Sequence, residues 1–527
     1  MDKPQDLHTA PRLRWTLDQF LAVGAIALAL FAAVGSLTWP LGDDQEIFAW
    51  AGSVVRDGGV PYKDAWDIKG PLTYYVYATS LALFGHNEAA FRLLDLAILV
   101  PFCYLLRRSV IAVTAGSAVG GNFAVAFFAL TYYGTGVSET AQPDGWGGML
   151  IFLAMAVMLD ARAKPRFTMV TTGCLIACAT LLKPTFLIYL LLPCVYCLRH
   201  PSPVAQRLIL LLQCFGACTV VLALSFGLLF YALGGSTDFF DILHFLITSH
   251  VSEAHRTAGL RYLLSGLFQL NLVAPLLVAV IGLFSLNHLR ALAHTWLLAT
   301  WLALTLIAVI AQGWYFTYHF IPVTIATAYI LGPTVAHLRE SLVTSATPSA
   351  RTLGGIALSV LLLVLLAAPA RKTLDLTYDW PSYALARETR TAYVTHLMPP
   401  DLGYWPDLER LAAYLASHTR RTDTVLMWGW DPIVNFLSDR RAPTRFGYTY
   451  PVVVQGPLRA KYRDLFITEI RRRPPAYIVA DVEGPWAQVG LSGSQLINQF
   501  PELDRFLESH YAPVGRVAKF EVLRRIR

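Results

Sequence analysis

Apolar stretches of membrane-spanning length recur through the first 370 residues, and a helix crosses a bilayer in about 20 residues. They predict spans near 17–38, 88–106, 110–133, 145–161, 167–183, 184–198, 208–232, 262–286, 294–312, 319–338 and 352–370. Residues 167–198 are tight for two crossings. They are divided at Lys183-Pro184, because proline ends a helix and a lysine is costly in mid-bilayer. The run from Phe20 to Leu37 follows Arg12 and Arg14 as a signal peptide would, but it is long for one and many spans follow. It reads as the first membrane anchor.

Basic residues test this layout, because Lys and Arg collect in short cytoplasmic loops. Lys3, Arg12 and Arg14 precede the first span, and Arg107 and Arg108 follow the second. Arg162, Lys164 and Arg166 follow the fourth, Arg199 and Arg207 the sixth, and Arg290 the eighth. Arg339 and Arg351 lie between the tenth and the eleventh. All of these loops then share one side. The apolar segment Pro71–Phe84 would break the pattern if it crossed, so it reads as a helix lying at the outer membrane face. Eleven crossings put everything after residue 370 outside, on the periplasmic side of a plasma (inner) membrane.

Beyond that point the pattern changes. Asp407–His418 and Leu458–Arg472 read as helices, Thr424–Trp428 and Ala476–Ala480 as strands, and Ser494–Ser509 as a further helix. The alternation predicts a small α/β domain. The fold class is therefore a polytopic α-helical membrane protein with about 11 transmembrane helices and a C-terminal soluble α/β domain. The domains are 1–370, with 39–87 as a first outer loop carrying juxtamembrane helices, and 371–527.

Composition sharpens the boundary. The chain is 55% hydrophobic and 15% charged, yet 39 of its 77 charged residues follow residue 370. The net charge of +7 is accounted for by cytoplasmic loops, and no basic patch interleaved with aromatics supports nucleic-acid binding. All seven cysteines lie between Cys103 and Cys218, so the C-terminal domain folds without disulfides. Cys194 and Cys197 have C-x-x-C spacing but sit in an apolar segment, where small packing residues are the simpler reading.

The densest polar cluster beside the membrane is in the first outer loop. It reads Gly42-Asp43-Asp44-Gln45-Glu46, then Val60-Pro61-Tyr62-Lys63-Asp64-Ala65-Trp66-Asp67-Ile68-Lys69-Gly70-Pro71. Adjacent carboxylates there suit a general base acting on an acceptor hydroxyl, and a lysine opening an interfacial helix suits a phosphate anion. A solvated loop with a capping aspartate accounts for the same residues. The second loop adds Glu139, Gln142, Pro143 and Asp144, where Asp144 also suits a helix N-terminus. Lys183 suits snorkelling or phosphate binding. Tyr315, Tyr318 and His319 end two spans, and an aromatic belt explains the tyrosines better than the histidine. A third loop, 233–261, carries His244, His250 and His255.

In order and topology these segments resemble the GT-C fold glycosyltransferases, in the bacterial branch related to protein O-mannosyltransferases and the lipid A aminoarabinose transferase. The resemblance covers roughly residues 15–370 and, more loosely, the outer domain. It is carried by Asp43-Asp44 followed by Phe48, by Pro61-Tyr62-x-Asp64-x-x-Asp67-x-Lys69-Gly70-Pro71, by Gln142-Pro143-Asp144, by Leu181-Leu182-Lys183-Pro184-Thr185 and by Tyr318-His319-Phe320-Ile321-Pro322. It implies a hexosyl- or pentosyltransferase that takes its sugar from a polyprenyl-phosphate donor on the outer face, by an inverting single displacement. Carried over, Asp44 with neighbouring Asp43 takes the catalytic role. Lys69 and Lys183 hold the carrier phosphate, and Asp67, Tyr62, Asp64, Asp144, Tyr318 and His319 line the substrate site. The implied partners are the lipid donor, an envelope glycan, lipid or protein acceptor, and the bilayer. A divalent metal is compatible with Asp43, Asp44 and Asp144, but no ligand spacing demands one.

Two rival readings are a transporter or flippase of envelope precursors and a non-catalytic scaffold. A transporter places ionisable residues at mid-membrane and commonly carries an internal repeat. Here the candidates cluster at one face and no repeat is visible. The lateral approach of a lipid carrier also explains a reaction site at the membrane face with no nucleotide-binding loop.

Overall fold

The computed structural model describes residues 17–526 except 115, 161, 253–258, 289–293, 344–346, 399–403, 484–485 and 487–488. Lys3, Arg12, Arg14, His255 and Arg290 lie outside the described residues. Helix α1 is Leu17–Gly35, α2 Asp44–Arg56, α3 Pro71–Phe84, α4 Glu88–Val113 and α5 Ala118–Tyr133. Next come α6 Pro143–Leu159, α7 Pro165–Leu182, α8 Leu191–Arg199, α9 Val204–Leu233 and α10 Thr237–Phe245. Further helices at Leu260–Gln269, Val273–His288, Thr295–Gln312, Ile321–Val343 and Pro348–Asp375 complete this part of the chain.

Among the described residues, seven helices are long and apolar enough to cross a membrane. An eighth span results if Arg261–Gln269 and Val273–Asn287, bent by 92° to one another, count as one. The remaining expected spans fall on three shorter apolar helices, α5, α6 and the segment Pro184–Arg199. Length and composition thus support a multi-pass membrane protein with fewer full-length spans than eleven. The expected break before residue 110 is not there. Helix α4 runs 26 residues through Arg107 and Arg108 to Val113, about 39 Å by helical rise, and the next helix starts only at Ala118.

The outer surface of this bundle is apolar. Leu212, Leu224 and Leu228 of α9 are 70%, 64% and 72% exposed, an arrangement that lipid, not water, accommodates. Small residues let helices approach closely. A Cβ on Gly173 of α7 would stand 2.2 Å from the Cys214 carbonyl oxygen of α9, the small-residue packing typical of membrane helices.

Helices α2 and α3 are the platform of the site. At 13 and 14 residues they span about 20 Å each, short of the hydrocarbon thickness, and α3 packs against α2, α4 and α7. Proline at the first position of α3 sets its start.

In the C-terminal region the sheet order is β1-β2-β4-β3, with β1 (Val425–Trp428) parallel to β2 (Tyr477–Asp481). The antiparallel hairpin β3 (Tyr511–Val517) and β4 (Phe520–Arg525) closes the sheet and was not visible in the sequence pattern. The helix expected over 494–509 is divided into Gly493–Asn498 and Pro501–His510, because Pro501 starts a new helix rather than continuing the old one. This region grips the first outer loop. The Trp66 N–H donates to the Arg445 carbonyl at 2.7 Å, and Arg390 pairs with Glu88 at 3.1 Å and Glu409 at 3.0 Å. All seven cysteines are free.

Candidate active site

Two loops distant in sequence are stitched together by backbone. The Gly70 N–H donates to the Leu182 carbonyl at 3.0 Å, and the Thr73 hydroxyl donates to the same oxygen at 3.0 Å. That oxygen is free because α7 ends at Lys183-Pro184, where no later amide claims it. A Cβ on Gly70 would stand 2.1 Å from the Leu181 carbonyl oxygen, so only glycine permits the approach. The result places Lys69 and Lys183 side by side.

Lys69 Nζ lies 3.0 Å from Asp44 Oδ2, and the Tyr318 hydroxyl donates to the same oxygen at 2.7 Å. The Tyr318 ring stands 5.7 Å from the Lys69 ammonium and 5.4 Å from that of Lys183. Lys183 donates to both Asp144 oxygens, at 2.9 and 2.8 Å, and also to Gln312. The ring of one tyrosine therefore neighbours the ammonium groups of two lysine–aspartate pairs.

Electrostatics follows from this packing. Burial raises the Asp44 carboxyl, but the Lys69 charge, the Tyr318 hydroxyl and the Lys183 charge together hold it below its ordinary value. Burial lowers Lys69, yet Asp44, Asp67 and Asp144 raise it above its ordinary value. Both members of the pair are charged.

Asp67 lies within electrostatic reach of Lys69. It accepts from the Tyr74 hydroxyl at 2.9 Å and the Tyr448 hydroxyl at 2.9 Å. Burial raises its carboxyl although Lys69 opposes this. Tyr62 is buried with its hydroxyl donating to the Lys69 carbonyl at 2.8 Å, so it shapes the loop and its hydroxyl is already engaged. Asp64 is not brought to the others. Its carboxylate accepts the Val60 N–H at 2.8 Å, at the exposed turn of the same loop, and it lines a separate cleft.

Asp43 precedes α2 with φ 50° and makes no side-chain cap bond, so a capping aspartate does not explain it. His319 is buried, its ring 4.5 Å from that of Tyr318, and its Nδ1 is unpaired. Glu139 accepts the Tyr318 N–H at 2.9 Å. Burial chiefly, with Asp43 and Asp44 adding, pushes its carboxyl up to about 8.

Sequence reasoning missed several supports. Gln312 and Tyr448 lie 129 and 381 residues from the groups they bond. Arg92, buried near the start of α4, donates to Thr140 Oγ1 at 2.6 Å, Gln45 Oε1 at 3.0 Å and the Val137 carbonyl at 2.9 Å. It welds the start of α2 and the segment before it to the segment between α5 and α6. An arginine inside an apolar run is a signal that could have found it. His250 contacts the Tyr450 hydroxyl at 3.1 Å, and burial pushes its pKa down to about 3.

Chemically, the arrangement offers one partly exposed carboxylate flanked by two ammonium groups. Among the described residues no group of three His, Cys, Asp or Glu is placed to share a metal ion. Asp44 and Asp144 each face a lysine instead.

No family model matches this chain, and no curated protein does. Solved structures do. The crystal structure of ArnT from Cupriavidus metallidurans bound to undecaprenyl phosphate matches 95% of this chain and 97% of its own, with TM-score 0.57 and 14% identity. The apo state of the same protein gives 0.56 and 15% over the same shares. A weaker likeness, 0.48 at 11% identity over 95% of this chain and 74% of the other, is to the archaeal oligosaccharyltransferase AglB from Archaeoglobus fulgidus in complex with an inhibitory peptide and a dolichol-phosphate. The ArnT likeness extends over nearly the whole of both chains and establishes the fold: this chain has the GT-C fold.

Proposed function

We propose that the chain is a glycosyltransferase that moves a sugar from a polyprenyl-phosphate donor to an envelope acceptor on the outer face of the plasma membrane. In this reading the three short apolar helices and the bent pair complete eleven crossings, and residues 371–527 stand on the outer side above the site. The observation that carries the proposal is that the Asp44–Lys69 and Asp144–Lys183 pairs both stand at the Tyr318 ring. The fold shared with a structure bound to undecaprenyl phosphate supports the donor class.

The chemistry follows from charge. The acceptor oxygen attacks the anomeric carbon as the bond to the carrier phosphate breaks. The acceptor proton goes to Asp44, the phosphate leaves on the opposite face, and the anomeric configuration inverts. Negative charge grows on the departing phosphate, and preorganised cations where charge develops lower the barrier. Lys69 and Lys183 fill that role. The resting pair also explains timing. While Lys69 faces Asp44, the carboxylate is a weak base. A donor phosphate that draws the Lys69 charge to itself leaves Asp44 dominated by burial, which raises its basicity.

The test uses a strain lacking the gene, complemented with wild type, Asp44→Asn or Lys69→Met. Mass spectrometry of envelope glycans, lipids and proteins is expected to show one sugar missing from one component and restored by wild type alone. Full restoration by Asp44→Asn would remove the base from the mechanism. An unchanged envelope in the deletion strain would remove the transferase.

A further inference from the structure

A concave site lies apart from the lysine pairs. A cleft of about 700 Å³ opens between the last turn of α2 with the loop after it and the C-terminal region at residues 439–445 and 472–473. None of Asp44, Lys69, Asp144, Lys183 and Tyr318 lines it. Eight cationic side chains line it, seven of them arginines, against four carboxylates.

The carboxylates are already engaged. Asp57 faces Arg56 at 3.0 Å and Arg441 at 3.3 Å. Glu469 faces Arg445 at 2.8 Å, Asp439 faces Arg421, and Asp64 accepts the Val60 N–H. Arg440 is buried and donates to backbone carbonyls of Ala416, Thr419, Ser438 and Asp439. Those bonds fix its guanidinium without cancelling its charge. Lys63, Arg472 and Arg473 have no carboxylate at salt-bridge distance among the described residues. A concave, arginine-rich surface with uncancelled charge concentrates anions, and arginine suits carboxylate and phosphate groups.

We propose that this cleft binds a polyanionic glycan, bearing carboxylate or phosphate groups, as a holding site for the acceptor; the proposal rests on the transferase reading and narrows its acceptor class. A lipid headgroup is the poorer fit. Acyl chains need an apolar trough, and the large apolar side chains lining the cleft are only Trp50 and Val54, joined by Ala442 and Pro443. Trp50 is itself buried.

The test measures binding by the full chain in uncharged detergent, without any donor, using fluorescein-labelled oligogalacturonate and fluorescence anisotropy. The variant is Lys63→Glu/Arg472→Glu/Arg473→Glu, three exposed positions whose change spares the core. Binding is expected to weaken roughly tenfold or more in the variant and to fall as salt shortens the reach of the charges. Neutral malto-oligosaccharide and phosphatidylglycerol bicelles are expected not to compete. Equal binding by a variant of unchanged melting temperature overturns the proposal. Competition by neutral glycan or by the lipid bicelles also overturns it. Undecaprenyl phosphate binding is measured on the same samples. Its loss in wild type would strike the transferase reading, whereas its retention beside failed glycan binding would strike only the cleft.

Discussion

The Tyr318 hydroxyl donates to Asp44 at 2.7 Å across 274 residues of chain, and its own backbone N–H is held by Glu139 at 2.9 Å. The tyrosine is thus anchored at both ends, and its ring keeps two lysines about equally distant. Asp44 receives part of its acidity from a helix far along the chain, so the reactivity of the carboxylate depends on how the bundle packs.

Tyr318→Phe keeps the ring and removes the hydrogen bond. The carboxyl of Asp44 should rise, because burial then faces one fewer opposing contact. The acid limb of the pH–activity profile is expected to move to higher pH, with kcat reduced roughly tenfold. An unmoved acid limb would separate Tyr318 from the base.

Lys69→Met leaves Asp44 without its nearest cation. Weaker undecaprenyl phosphate binding, by roughly tenfold to a hundredfold, is expected in a titration of the detergent-solubilised protein. The double change Asp44→Asn/Lys69→Met should melt higher than Lys69→Met alone, because a half-buried carboxylate stripped of its cation is worse than a neutral amide there. Additive melting shifts would argue against coupling of the two residues.

Gly70→Ala places a methyl group where the Leu181 carbonyl oxygen stands. The loops should part, costing about 1–3 kcal/mol of stability and most of the activity while every charged group survives. Gly24→Ala is the control, since nothing lies within 4 Å of its Cβ. Thermal unfolding and transfer assays on both variants decide the matter, and equal behaviour of the two would refute the stitch.

Glu139 carries a pH signature. Its carboxyl sits at about 8 in the fold and near 4.3 in an unfolded chain. Between those values the folded state holds the extra proton. The stability from this group is therefore complete below the lower value and lost as pH rises through the upper one. Wild type should lose up to about 1.4 kcal/mol per pH unit relative to Glu139→Gln across that window. Melting curves of both proteins from about pH 5 to about pH 9 test this. Parallel curves would mean Glu139 is not buried as described.

Local signals in the sequence drew attention to the acidic first loop, Lys69, Asp144 and Lys183, as ionisable groups beside apolar runs where charge needs a reason, and the family resemblance singled out Asp44. Asp64 shared that signal, yet its carboxylate closes its own turn. Short-range backbone bonding of this kind competes with function for the same residue types. Tyr448 and Gln312 gave no signal, since their partners are fixed only by tertiary packing. A multi-pass membrane protein was readable from apolar length, but eleven full-length spans were not recovered, and α4 runs unbroken past Arg107-Arg108 to Val113. The β3–β4 hairpin went unseen because few of its residues are buried, leaving little alternation to read.

The hydrogen bond from Tyr448 to Asp67, together with the Trp66 link to Arg445, makes the globular portion a brace for the loop that carries Lys69. Amputating the chain after residue 384 would remove that brace. It would leave Asp67 short of a donor and loosen the loop that holds Lys69, while the helices themselves keep their packing.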